Sequence, residues 1–92
     1  MELKQIEKIS KALGDVSRLN ILQGMSKRKG VMQCSEIMNL LDLAQPSVSH
    51  HIKTLIEAGL IEPEKEGRKY SYELNTALFN DYIASMKEIA GQ

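Results

Sequence analysis

The chain has 92 residues, enough for one small domain. Its 12 Lys and Arg balance its 12 Asp and Glu, which excludes a protein that coats nucleic acid through bulk positive charge. A lone cysteine, Cys34, excludes an intrachain disulfide. No apolar run approaches the roughly 18 residues of a membrane span and no signal-peptide core is present, so a cytoplasmic protein is expected.

In chain order, Leu3, Ile6, Ile9 and Leu13 recur at helical spacing between Lys4, Glu7, Lys8 and Lys11, predicting an amphipathic helix over residues 2–13. Gly14 ends it, and Asp15 or Ser17 can cap a second helix whose buried side is Leu19, Ile21, Leu22 and Met25. The polar stretch 26–30 reads as a loop, with the basic cluster Lys27, Arg28 and Lys29. Val31 to Gln33 suits a brief extended segment. Ser35 is then a suitable N-cap for a third helix carrying Ile37, Met38, Leu40 and Leu41.

A tight connection through Asp42, Leu43 and Ala44 leads to Pro46. Proline suits the start of a helix, where its missing N–H costs nothing and its φ is already helical. Val48, Ile52, Leu55 and Ile56 form one buried stripe of this fourth helix, and Gly59 stands where a left-handed cap is wanted. Ser47, His50, Lys53 and Thr54 point the other way, with Gln45 and Ser49 near the N-terminal end. Short hydrogen-bonding side chains with almost no acid before Glu57 suit a helix that reads base edges in a major groove. An ordinary solvated face is the plain alternative, and the neighbouring elements decide between them.

After Gly59 the pattern turns from helical to alternating. Leu60 and Ile61 lead through Pro63 to a charged tip over residues 64–69 containing Lys65, Arg68 and Lys69, with Gly67 able to adopt positive φ. Tyr70, Tyr72 and Leu74 then alternate with polar residues as in a half-buried strand. A two-stranded hairpin results, with Pro63 on an edge. Asn75 can cap a last helix with a wide apolar face of Leu78, Phe79, Tyr82, Ile83, Met86, Ile89 and Ala90. The expected fold is mainly α with a β-hairpin: a winged helix-turn-helix in the order α-α-α-turn-α-β-β-α, forming a single domain over residues 1–92. The basic hairpin tip would lie along phosphates flanking the groove that the fourth helix enters. The last helix, with Leu3, Ile6 and Ile9 as a second apolar surface, exceeds what so small a monomer buries and predicts a homodimer.

Three stretches, ALGDVSRLNIL at residues 12–22, AQPSVSHHIKTLIEAGLI at residues 44–61 and EGRKYSYEL at residues 66–74, resemble the ArsR/SmtB family of bacterial winged-helix repressors. The resemblance covers nearly the whole chain in order. It implies a homodimer through the first and last helices, an inverted-repeat operator in double-stranded DNA, and release by an inducer that these residues do not specify. Gln45, Ser47, Ser49 and His50 match the family's base-contacting stretch, and Arg68 and Lys69 match its wing. Ala44 departs from the Ser or Thr often found there, so the recognition helix is expected to lack a side-chain cap.

The resemblance also implies where metal ligands would stand. One family site uses Cys-x-Cys at the start of the third helix, and those positions hold Gln33 and Ser35 with Cys34 between them. Another uses histidine on the last helix, which here contains Asp81 and Glu88 but no histidine. No metal and no cofactor are therefore expected. Cys34, near a helix N-terminus, is a candidate redox sensor, though a lone cysteine beside apolar residues also reads as a small buried hydrophobe. Two readings compete with a DNA-binding regulator. A winged-helix protein-interaction module is favoured by the zero net charge, and an enzyme lacks any Gly-rich loop, nucleophile elbow or carboxylate cluster.

Overall fold

The computed structural model describes residues 1–92. The elements are α1 (Leu3–Leu13), α2 (Val16–Lys27), β1 (Val31–Gln33), α3 (Cys34–Leu40), α4 (Gln45–Glu57), β2 (Ile61–Glu66), β3 (Lys69–Leu74) and α5 (Thr76–Ile89). This is a winged helix-turn-helix, with α3 and α4 forming the motif and β2–β3 the wing. None of the helices is long and apolar enough to cross a membrane.

Local chemistry explains most boundaries. Asp15, not Ser17, caps α2: its carboxylate accepts from the N–H groups of Ser17 at 2.8 Å and Arg18 at 3.3 Å. α3 begins earlier than expected, and its N-cap is Gln33 in place of Ser35. The cause lies at the third helical position, where the Glu36 carboxylate turns back to accept from the Gln33 N–H at 3.0 Å. Ser35 therefore falls inside the first turn. The other Glu36 oxygen accepts from Arg28 Nε at 3.0 Å, tying α3 to the end of α2.

α4 starts after Ala44 with no side-chain cap, and Pro46 lies in its first turn. It ends in a Schellman motif. Gly59 adopts φ +81°, its N–H donates to Ile56 O at 2.9 Å, and the Leu60 N–H donates to Leu55 O at 3.0 Å. Asn75 caps α5, accepting from the Leu78 N–H at 3.1 Å. Its amide also donates to Gly59 O at 3.1 Å, so one side chain starts α5 and closes the end of α4.

The sheet has three strands in the order β1-β3-β2, whereas the alternation in sequence predicts a two-stranded hairpin. Only one edge of β3 is taken by β2, and the three residues of β1 pair with the other, bringing Met32 opposite Tyr72. Both are buried. Pro63 lies on the edge strand β2, where its missing N–H breaks no ladder.

The core gathers Ile9 and Ala12 of α1, Ile21, Leu22 and Met25 of α2, Met32, Ile37, and Val48, Ile52 and Leu55 of α4, closed by Leu60, Ile61 and Tyr72. Three expectations need correction. Leu19 is 46% exposed, because the buried side of α2 is set by Ile21, Leu22 and Met25 and Leu19 lies on its flank. Tyr70 is 50% exposed, because the hairpin runs out beyond the core. Ile6 and Ile9 do not form a second free surface: both are buried in the chain's own core, and only Leu3 of that set is exposed.

Candidate nucleic-acid interface

The fourth helix has two distinct sides. Val48, Ile52 and Leu55 are buried, while Gln45, Ser47, Ser49, His50 and Lys53 are exposed. Thr54 departs from the expected exposed set. It is half-buried, and its hydroxyl donates back to His50 O at 3.0 Å, one helical turn earlier. Lys53 Nζ lies 3.9 Å from Glu57 Oε1, an exposed pair that water screens and that leaves the cation free to move. The N-terminal half of the helix therefore presents amide, hydroxyl and imidazole groups with no acidic side chain among them. That chemistry matches the donors and acceptors of base edges.

In the wing, residues 62–70 are all exposed, and Gly67 supports the turn at φ +60°. Lys65 Nζ sits 5.3 Å from the centre of the Tyr70 ring, so the exposed aromatic holds one wing cation by a cation–π contact. Arg68, Lys69 and Tyr70 share an open cavity of about 270 Å³ with Gln33, Cys34 and Ser35 at the start of α3. Two wing cations and the lone thiol thus line one concavity. Cys34 is half-buried. Burial first, and then the adjacent Cys34, pushes the Tyr72 hydroxyl above its ordinary pKa. No three His, Cys, Asp or Glu side chains converge as a metal site.

The two adjacent histidines of α4 have opposite surroundings. His50 is exposed, whereas the His51 side chain is 14% exposed and turned towards α2. Its Nδ1 lies 3.1 Å from Arg18 Nη1 and 3.9 Å from Asp15 Oδ1. Partial burial pushes the Asp15 carboxyl up. The N–H groups of Arg18 and Ser17, the Arg18 guanidinium and His51 outweigh that effect and hold it below the usual carboxylate range. Sequence reasoning assigns nothing to Arg18 or His51. Helical spacing does place His51, three residues after Val48 and four before Leu55, beside the buried stripe, but nothing local marks Arg18 as its partner.

Comparison with known proteins agrees with this geometry. The family model described as bacterial regulatory protein, arsR family, matches residues 15–62, which run from the α2 cap into the first wing strand. The arsenical resistance operon repressor of Staphylococcus aureus is 35% identical over 89 residues, covering 97% of this chain and 84% of that protein. The transcriptional repressor SdpR of Bacillus subtilis is 32% identical over 75 residues, covering 82% of this chain and 81% of that one. A crystal structure of an ArsR family transcriptional regulator superposes with a TM-score of 0.80 at 27% identity, covering 100% of this chain and 96% of that one. A DNA-binding regulator of transcription, and not an enzyme, is what sequence, fold and exposed helix face agree on: the chain belongs to the ArsR family of bacterial regulatory proteins.

Proposed function

We propose that the chain is a homodimeric repressor that binds an inverted-repeat operator in double-stranded DNA, with residues 1–92 acting as one winged helix-turn-helix domain. Gln45, Ser47, Ser49 and His50 read base edges in the major groove, with Lys53 extending the same face. Lys65, Arg68 and Lys69 of the wing neutralise flanking phosphates, so the chain needs no net positive charge. The observation that carries this reading is the two-sided α4, whose exposed side carries no acid before Glu57 while its other side is buried in the core. The dimer is supported by Leu3, Ile83 and Ile89, which are 74%, 48% and 60% exposed in a single chain.

The same reading makes the repressor independent of metal. Gln33 and Ser35 supply no thiolate, and α5 supplies no histidine. Cys34 supports a second mode of control, because it shares the concavity with Arg68 and Lys69. Oxidation of its thiolate by hydrogen peroxide, giving a sulfenate and water, would put a new polar group beside two phosphate-binding cations.

Fluorescence anisotropy against the chain's own upstream region and a random duplex, at two salt concentrations, tests the proposal. Tight, salt-dependent binding that prefers the native duplex is the expected result. Equal binding to both duplexes would instead support a protein-interaction module. Release by arsenite or zinc would overturn metal independence, and release by peroxide that disappears in Cys34→Ser would establish the thiol as the switch.

A further inference from the structure

We propose that Arg18 and His51 are positioning residues for sequence recognition, holding α4 at a fixed rotation from its buried side. This rests on the assignment of α4 as the DNA-reading helix. A guanidinium only donates and stays charged, so the 3.1 Å contact makes His51 Nδ1 the acceptor and puts the imidazole proton on Nε2. The same guanidinium donates from Nε to Ala12 O at 2.6 Å and from Nη2 to Lys11 O at 3.3 Å. Those carbonyls belong to the last turn of α1, where the Lys11 carbonyl also accepts from the Gly14 N–H at 3.2 Å. Asp15 completes the cluster: its carboxylate caps α2 and lies 3.9 Å from both Arg18 Nη1 and His51 Nδ1. One side chain therefore joins the end of α1, the start of α2 and the middle of α4.

The consequence for recognition follows from directionality. Val48, Ile52 and Leu55 seat α4 through apolar contacts, which have no preferred direction and tolerate a small rotation. The Arg18–His51 hydrogen bond does have a direction, and it acts at the residue next to His50. Base readout depends on donor and acceptor placement within a few tenths of an ångström, whereas phosphate contacts tolerate more. Losing the bond should therefore lower discrimination between sequences more than it lowers general DNA affinity. A purely structural role would lower stability and leave discrimination untouched.

The test compares His51→Leu with His51→Asn in the full chain, by anisotropy on the native and random duplexes and by thermal melting. The Asn carboxamide oxygen falls near the place of Nδ1 and can accept from Arg18, and Asn and His have similar helix propensity. Wild type must first prefer the native duplex, and if it does not, the DNA-reading assignment itself fails. Given that preference, His51→Leu should lose roughly fivefold of it with random-duplex affinity within about twofold, the size of one net hydrogen bond. His51→Asn should keep it. The inference is overturned if His51→Leu retains the full preference, if His51→Asn loses as much as His51→Leu, or if affinity falls equally on both duplexes.

Discussion

α4 and α5 are both amphipathic by sequence, yet a single chain treats them differently. α4 buries Val48, Ile52 and Leu55 and is closed by the Schellman motif at Gly59. In α5 only Ser85 is fully buried, Leu78, Phe79 and Tyr82 are half-buried, and Ile83, Met86 and Ile89 remain exposed. Its one hydrogen bond to α1 joins Tyr82 Oη to Ser10 Oγ at 2.8 Å. The difference teaches that an apolar stripe in sequence states that something must cover it, not whether the cover comes from the same chain. α4 is finished within the monomer, while α5 is seated at its N-terminal half and left open beyond it.

The largest expected effect separates the two helices directly. Leu55→Ala should remove about 2–5 kcal/mol of stability at every protein concentration, because it opens a cavity in the monomer core. Met86→Ala should leave a dilute monomer's denaturation midpoint nearly unchanged and weaken self-association, measured by sedimentation equilibrium. Equal loss of monomer stability in both variants would break the comparison.

Next in size are the DNA contacts proposed for α4 and the wing. His50→Ala should cost roughly 1–3 kcal/mol of discrimination between native and mismatched duplexes. Arg68→Ala should weaken all duplexes alike and reduce the salt slope by about one unit. Both are read by anisotropy titrations over a salt series, and the opposite assignment of the two effects would refute the division of labour between helix and wing.

Gly59→Ala should destabilise by about 1–2 kcal/mol, the penalty of a left-handed backbone for a residue with a Cβ, measured by urea unfolding. Its Cβ would meet Leu78 Cδ2 at an ordinary 3.5 Å, so backbone conformation and not crowding sets the loss. The smallest effect is one of pH. The Asp15 carboxyl is held below its unfolded value, so its contribution is present above about pH 4 and is lost as pH falls further. Unfolding midpoints of wild type should therefore drop between pH 5 and pH 3 by more than those of Asp15→Asn, which keeps a capping oxygen without the charge.

Much of this was legible in the residues. Spacing and capping chemistry specify the order of helices, the Pro46 start, the Gly59 stop, the Asn75 cap and the wing with Pro63 on its edge, because these depend on neighbours within a few residues. The exposed face of α4 follows in the same way, since the buried stripe of one helix determines its opposite side. Contacts between distant segments lay outside that reach. β1 became a strand because β3 had a free edge, and Tyr70 stayed exposed because the core ended before reaching it. The Gln33–Glu36 cap and the flank position of Leu19 are local, and a closer reading of capping and spacing reaches them. The partner of His51 belongs with the distant contacts: its place between Val48 and Leu55 turns it inward, but only the packing of α2 against α4 put the Arg18 guanidinium within 3.1 Å of its ring.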